Sequence, residues 1–183
     1  MKKIIIAIDS FKGCLTSAEA GKAAEKGIKS INPSCHTSVI PIADGGEGLL
    51  DVLITATKGK YITLSAHGPL MKMAKTHYGL SGNGRTAIIE MAAISGLPLV
   101  PIEQRNPMLT TTFGTGELIK DALNKGCRNF IIGIGGSATN DAGLGMLQAL
   151  GFRFLDKSGH TLGTGGQIME AVANIDTSGI HPA

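Results

Sequence analysis

Four short stretches of this 183-residue chain set acids, a cation, hydroxyls and glycines at spacings suited to chemistry on a phosphorylated ligand. They are Asp9-Ser10-Phe11-Lys12-Gly13, Ala43-Asp44-Gly45-Gly46-Glu47-Gly48, Thr110-Thr111-Thr112-Phe113-Gly114-Thr115-Gly116-Glu117 and Gly133-Ile134-Gly135-Gly136-Ser137-Ala138-Thr139-Asn140-Asp141. The last is the most telling. It follows the apolar run from Phe130 and leads into a small-residue helix pattern through Leu150. A helix that starts just after a glycine-rich loop offers unpaired backbone N–H groups and the positive end of its dipole. That combination suits phosphate, and glycine lets backbone approach a ligand with no Cβ in the way. The expectation is that this loop holds part of a phosphorylated ligand, a nucleotide in particular.

The other stretches each admit two readings. Asp9, Ser10 and Lys12 close an apolar run, and in open α/β sheets ligands sit beyond the carboxyl ends of strands; the alternative is a polar turn with a solvated lysine. Asp44 and Glu47 are two acids three apart, suited to a metal or a substrate, or else to a capping box on the following helix. The hydroxyl run before Glu117 can bind an anion, or can be a β-prone segment with structural duty alone.

Two enzyme chemistries compete for the glycine loop. Gly133, Gly135 and Ala138 satisfy G-x-G-x-x-A, and Asp156 ends an apolar run about 20 residues on, where an acid would meet a ribose hydroxyl in an NAD(P)-binding oxidoreductase. That reading explains neither the Lys12 stretch nor the Asp44 stretch. Phosphoryl transfer uses all four. It needs backbone donors around phosphates, a cation against the growing charge, and acids that hold Mg²⁺ or orient the hydroxyl. No Walker A pattern G-x-x-x-x-G-K-[ST] occurs, so a P-loop enzyme is disfavoured. The kinase reading ranks first, the dinucleotide enzyme second and a domain that binds nothing last.

The elements that must position these residues read as an α/β domain. Lys3 to Ile8 is continuously apolar, as in a strand covered on both faces. Thr16 or Ser17 caps a helix that runs to about Ser30 and is ended by Asn32-Pro33. A strand is predicted over Thr37 to Ile42, a helix over Leu49 to about Ala56, and a strand over Tyr61 to Ala66. Ala74 to Leu80 and Arg85 to Glu90 read as a hairpin across Ser81-Gly82-Asn83-Gly84. Met91 to Leu97 suggests a short helix, followed by a proline-marked loop. A helix over Leu118 to Asn124 has Thr115 as its expected N-cap and Lys125-Gly126 as its stop. Strands follow over Arg128 to Ile134 and Phe152 to Leu155, then a helix over Gln167 to Ala173. The close from Ile175 to Ala183 is turn-like. The fold class expected is α/β, a mostly parallel, Rossmann-like open sheet with flanking helices and a β-hairpin excursion near residues 66–106.

Hydrophobic residues make up 43% of the chain and charged residues 17%, which fits a globular protein rather than a disordered one. A net charge of +3 with 4% aromatics argues against nucleic acid as a partner. No apolar stretch approaches the ~20 residues of a membrane span. Cys14, Cys35 and Cys127 fit no zinc or redox spacing, and a reduced, cytoplasmic protein is expected.

The four stretches, with Ile89-Glu90-Met91-Ala92-Ala93, Gly96-Leu97 and Arg105-Asn106-Pro107, stand in an order and spacing that strongly resemble the bacterial glycerate kinases of the first type. The resemblance covers the whole chain. It implies a two-domain α/β enzyme that transfers the γ-phosphate of ATP to D-glycerate with Mg²⁺, giving 2-phosphoglycerate as the usual product. A homodimer is compatible with it. Chains of that family continue past a segment like Ile175-Asp176-Thr177-Ser178-Gly179 into further strands and glycine-rich loops. The chain is therefore expected to match the N-terminal half of such an enzyme, as an excised piece, a proteolytic product or a broken reading frame, and to be a poor kinase by itself. On this reading Lys12 meets the transferred phosphate and Asp44 orients or deprotonates the substrate hydroxyl. Asp9, Glu47 and Asp141 are Mg²⁺ contacts. Backbone at Gly135, Gly136 and Ser137 faces phosphates with help from Asn140, and Ser10 and Thr111 hold the glycerate carboxylate.

Overall fold

The computed structural model describes residues 3–183. The chain opens with strand β1 (Lys3–Ile8), helix α1 (Ser17–Ile31) and strand β2 (His36–Pro41). β1 and β2 pair in parallel from Lys3↔His36 to Ile8↔Pro41. The start of α1 is set by a capping box. The Thr16 hydroxyl accepts from the Glu19 amide at 3.2 Å, and the Glu19 carboxylate accepts from the Thr16 amide at 2.9 Å. α1 buries Ser17, Ala20 and Gly21. These small residues let it lie close on one face of the strand pair.

Helix α2 (Leu49–Thr57) then leads into strands β3 (Lys60–His67), β4 (Met73–Leu80) and β5 (Thr86–Glu90). Helices α3 (Ala92–Ser95) and α4 (Phe113–Asn124) precede strand β6 (Asn129–Gly133). Strands β3-β4-β5-β6 form one sheet, in which β3–β4 and β4–β5 are antiparallel and β5–β6 is parallel. The core follows the alternation of side chains along β5. Ala87 and Ile89 face a cluster with Ala66, Tyr78, Leu118 and Ala122, so α4 covers that side. Ile88 faces Leu50 and Ile54 of α2 on the other side. All three β5 residues are fully buried, and each buried Ile contributes about 1.5–3 kcal/mol of transfer free energy. The chain finishes with helix α5 (Leu144–Ala149), strand β7 (Arg153–Leu155), a 3₁₀ turn over Gly166–Ala171 and strand β8 (Asn174–Asp176).

The α/β class, the flanking helices and the β4–β5 hairpin are as expected. The sheet is mixed rather than mostly parallel, because the hairpin is flanked directly by β3 on one side and β6 on the other. Three local expectations are corrected. α4 begins at Phe113, two residues before Thr115, whose hydroxyl lies inside the helix and bonds Ser95 at 2.8 Å. The helix expected over Gln167 to Ala173 is the shorter 3₁₀ turn. The tail expected to be turn-like contains β8, which pairs antiparallel with β7 and is tied by an Arg153–Asp176 ion pair. No helix among the described residues is long and apolar enough to cross a membrane.

Candidate active site

The parallel pairs deliver their loops to one edge. β1 and β2 end side by side, and the Ile42 amide donates to the Ile8 carbonyl at 3.3 Å. β5 and β6 end side by side with Glu90 opposite Gly133. The two pairs meet where the Gly135 amide donates to the Gly45 carbonyl at 3.0 Å. The sequence stretches after β1, β2 and β6 therefore share this edge, and Glu90 joins them from β5.

Gly133 and Gly135 have a task in packing. A Cβ on Gly135 would stand 2.6 Å from the Gly46 Cα, and one on Gly133 would meet the Gly45 carbonyl at 2.5 Å. They admit backbone against backbone, so that the two loops interlock. Gly136 has φ +72°, a left-handed turn that favours glycine.

The starts of α2, α4 and α5 already hold a protein carboxylate. α2 has Gly48 as its N-cap with no side-chain cap of its own. Instead, Glu90 accepts from the Gly48 and Leu50 amides, both at 3.1 Å. Glu90 is buried, and that burial pushes its carboxyl above the usual range, against the lowering effect of the two amides. The capping-box reading of Asp44 and Glu47 is thereby replaced. Asp44 turns back on its own loop to accept from the Gly46 amide at 3.0 Å, and it is exposed, as is Glu47.

Asp141 fills the starts of α4 and α5. Its carboxylate accepts from the Thr112 amide at 2.8 Å, the Thr112 hydroxyl at 3.0 Å and the Thr111 hydroxyl at 3.2 Å. It also accepts from the Gly143 and Gly145 amides at 3.0 and 3.2 Å. It is 1% exposed. A carboxylate so saturated has little left to offer a metal, and Thr111, bonded to it, is fully buried. The hydroxyl run is a clasp: Thr110 donates to the Ala138 carbonyl at 2.8 Å, and Thr139 donates to the Thr110 carbonyl at 2.7 Å. Ser137 bonds the Thr139 backbone within its own turn. Asn140 is exposed beside it.

Lys12 is exposed and makes no hydrogen bond or ion pair with the described residues. Asp9 accepts from the Ser10 amide at 2.6 Å through one oxygen. No group of three or more His, Cys, Asp or Glu among the described residues is arranged to hold a metal ion. The chain thus brings together Asp9, Ser10, Asp44, Glu47 and the Gly135–Gly136 turn, and sets Asp141 and Thr111 apart in the interior. Glu90 is the residue that sequence reasoning passed over; its signal was an acid closing an otherwise apolar strand.

The dinucleotide alternative fails on topology. That site needs β6 and the next strand to be parallel neighbours with the acid at the second strand's tip. β7 pairs with β8 instead. Asp156 accepts from the Ser158 and His160 amides at 2.8 and 2.9 Å in its own turn.

Known proteins share this arrangement. Residues 4–183 match the model of the glycerate kinase family. A glycerate kinase from Bacillus subtilis is 54% identical over 178 residues, covering 97% of this chain and 47% of that protein. A glycerate 2-kinase from Escherichia coli K12 is 49% identical over 180 residues, covering 98% and 47%. A crystal structure from Salmonella typhimurium LT2, whose name as glycerate kinase 2 is a provisional assignment, superposes with a TM-score of 0.83 at 49% identity over 98% of this chain and 48% of that one. The chain spans about half the length of these relatives.

Proposed function

The chain belongs to the glycerate kinase family, and from that membership we propose that it supplies the N-terminal part of an enzyme that phosphorylates D-glycerate with ATP. The observation that carries this is the convergence of the β1, β2, β5 and β6 loop ends on one edge. With the starts of α2, α4 and α5 occupied by Glu90 and Asp141, nucleotide phosphates have the Gly135–Gly136 turn and the Lys12 ammonium as their partners. Lys12, unengaged and on a flexible stem, meets the transferred phosphoryl group as a point charge. Asp44 takes or orients the proton of the substrate hydroxyl. Ser10 is left as the contact for the glycerate carboxylate.

Mg²⁺ fits part of the expected donor set. Asp9 and Glu47 keep carboxylate oxygens accessible, and Mg²⁺ characteristically uses one or two carboxylates with substrate phosphates and water. Asp141 does not fit, for the reasons of burial and saturation given above. When bound, the ion would neutralise charge on the phosphates; the chain's own groups orient the acceptor and move its proton.

Product regiochemistry follows the name of the Escherichia coli relative, a 2-kinase, and transfer to the 2-hydroxyl is the reading adopted. The working compartment is the cytoplasm. The chain by itself is a slow catalyst, since Lys12, Asp44 and Glu47 are all exposed and water competes where phosphoryl transfer needs a closed site. The test is ADP release by the purified chain with Mg-ATP, with and without D-glycerate, and phosphorus NMR of the product. Turnover well below the ~1–100 per second of ordinary kinases, dependent on glycerate and giving the 2-phosphate, is expected. Glycerate-independent ADP release, or no turnover together with no binding of Mg-ATP, overturns the proposal.

A further inference from the structure

One run singled out in the sequence has no task in the proposed reaction: Arg105-Asn106-Pro107. It lies in a strap, residues 96–110, between α3 and α4. The strap is stitched to the Gly136 turn near both of its ends. At its start, the Leu97 amide donates to the Gly136 carbonyl at 2.9 Å, and Gly96 forms an antiparallel bridge with Ser137. At its end, the Thr110 hydroxyl serves the Asn106 and Ala138 carbonyls together, at 3.3 and 2.8 Å. Between these ties, 3₁₀ turns over Leu97–Leu99 and Ile102–Gln104 and the fixed φ of Pro98, Pro101 and Pro107 stiffen the path. Arg105 is therefore carried beside the glycine turn, one residue from a carbonyl that shares its donor with Ala138.

The four arginines of the chain differ in what holds them. Arg153 forms an ion pair with Asp176. Arg128 gives Nη1 to the Leu123 and Cys127 carbonyls. Arg85 precedes β5, at the opposite end of that strand from Glu90. Arg105 is both fixed and unspent. Its Nε donates to the Val100 carbonyl at 3.2 Å, and Val100 is 1% exposed, so the bond anchors the guanidinium to the buried part of the strap. Its Nη nitrogens have no hydrogen-bond or ion-pair partner among the described residues. With the Nε edge taken, the Nη1–Nη2 end is left, a planar fork that matches the two oxygens of a carboxylate. The strap also exposes Leu97, Ile102 and Met108, but bare apolar surface does not mark a site in this molecule. β1, expected to be covered on both faces, leaves Ile5 59% exposed.

We propose that Arg105 is an oxyanion clamp of the candidate site and that it holds the carboxylate of the acceptor, a small hydroxy acid. This rests on the kinase reading. Two ligands of that reaction carry oxyanions, the triphosphate and the acid. The triphosphate has the Gly135–Gly136 turn, Lys12 and a divalent cation. The carboxylate has the Ser10 hydroxyl, which carries no charge, and it enters an edge where Asp9, Asp44 and Glu47 repel it. A fixed fork offsets that repulsion. It also selects, because an acceptor with the same hydroxyls and no carboxylate leaves both Nη groups unmatched.

The experiment is calorimetric titration of the 183-residue chain with D-glycerate and with its neutral amide, D-glyceramide, each with and without Mg²⁺ and a non-hydrolysable ATP analogue. Wild type should bind D-glycerate at least tenfold more tightly than D-glyceramide. Arg105→Gln should abolish that preference and leave the affinity for the Mg-nucleotide within twofold. Arg105→Lys, which keeps the charge and loses the fork, should restore only part of it, and Arg85→Gln should change nothing. Nitrogen-15 NMR of the wild-type guanidinium groups needs no variant. The Arg105 Nη signals should shift on adding D-glycerate and stay in place with D-glyceramide, and this decides if a variant does not fold. Wild type that does not bind D-glycerate, or a preference unchanged in Arg105→Gln, overturns the proposal. Loss of nucleotide affinity in Arg105→Gln with the preference intact assigns the fork to a phosphate and overturns it too. Glycerate held through Arg105 with no binding of Mg-nucleotide would end the kinase reading alone, whereas Mg-nucleotide binding with glycerate indifferent to Arg105 would end this proposal alone.

Discussion

At the scale of single residues, the acids divide by what their oxygens already hold. Asp44 keeps accessible oxygens on an exposed loop, whereas Glu90 and Asp141 hold backbone amides in the interior. Asp44→Asn, made in whichever assembly turns over, should leave Mg-ATP affinity nearly unchanged and lower kcat at least 10²-fold; unaltered kcat removes Asp44 from its role. Glu90 predicts a dependence on pH. Burial raises its folded pKa above the ordinary value, so the native state binds more protons than the unfolded chain between the two values. Stability therefore falls as pH rises from the ordinary carboxylate range through the raised value. In Glu90→Gln one amide oxygen can still receive both amides, which now share a single carboxylate oxygen. The variant should gain stability relative to wild type as pH rises from 4 to 8, and parallel melting curves across that range would contradict the assignment. Neither role was legible beforehand. Asp141 reads as one more acid in a polar loop, and its threonine donors lie 29 and 30 residues away; Glu90 caps a helix 40 residues upstream.

At the scale of elements, local patterns were readable where they depend on near neighbours. The Thr16–Glu19 box, the apolar runs of β1 and β6 and the turn residues between β4 and β5 each lie within a few positions, and they mark the corresponding elements. β8 was missed because only its pairing with β7 makes Asn174–Asp176 a strand. The early start of α4 was missed because its N-cap residue, Thr112, is held by Asp141, distant in sequence. The glycine loops were found, but the packing of Gly133 and Gly135 against Gly45 and Gly46 was not, since sequence does not tell an approach to ligand from an approach to backbone. This makes a paired prediction. Gly135→Ala puts a methyl 2.6 Å from the Gly46 Cα, so the interlocked loops must part at about 1–3 kcal/mol. Gly27→Ala, inside α1 with nothing within 4 Å of the new Cβ, should stabilise by about 0.5–1 kcal/mol. Urea denaturation of the two variants should move in opposite directions. A neutral Gly135→Ala would mean that the loops do not interlock.

At the scale of the whole molecule, the question is which nucleotide the assembled edge selects. Two sheets meet there through the Gly135–Gly45 backbone bond, and the acids nearest the surface are Asp9, Asp44 and Glu47. Those three repel a bare triphosphate, while Lys12 offers a single positive charge against it. A nucleotide that brings its own divalent cation turns the acids from opponents into partners, and NAD brings none. The order expected in a thermal-shift series is thus Mg-ATP above ATP with chelator, and both above NAD. A ligand at 100 times its dissociation constant adds about 2.7 kcal/mol, equivalent to about 5–11 °C for a domain near this size. The Gly135→Ala variant sharpens the reading. If the phosphates rest on the interlocked loops, it should lose most of the Mg-ATP shift beyond its own drop in melting temperature, whereas Gly27→Ala should keep the shift in full. A larger shift with NAD than with Mg-ATP would return the glycine loop to the dinucleotide reading that the β7–β8 pairing argues against.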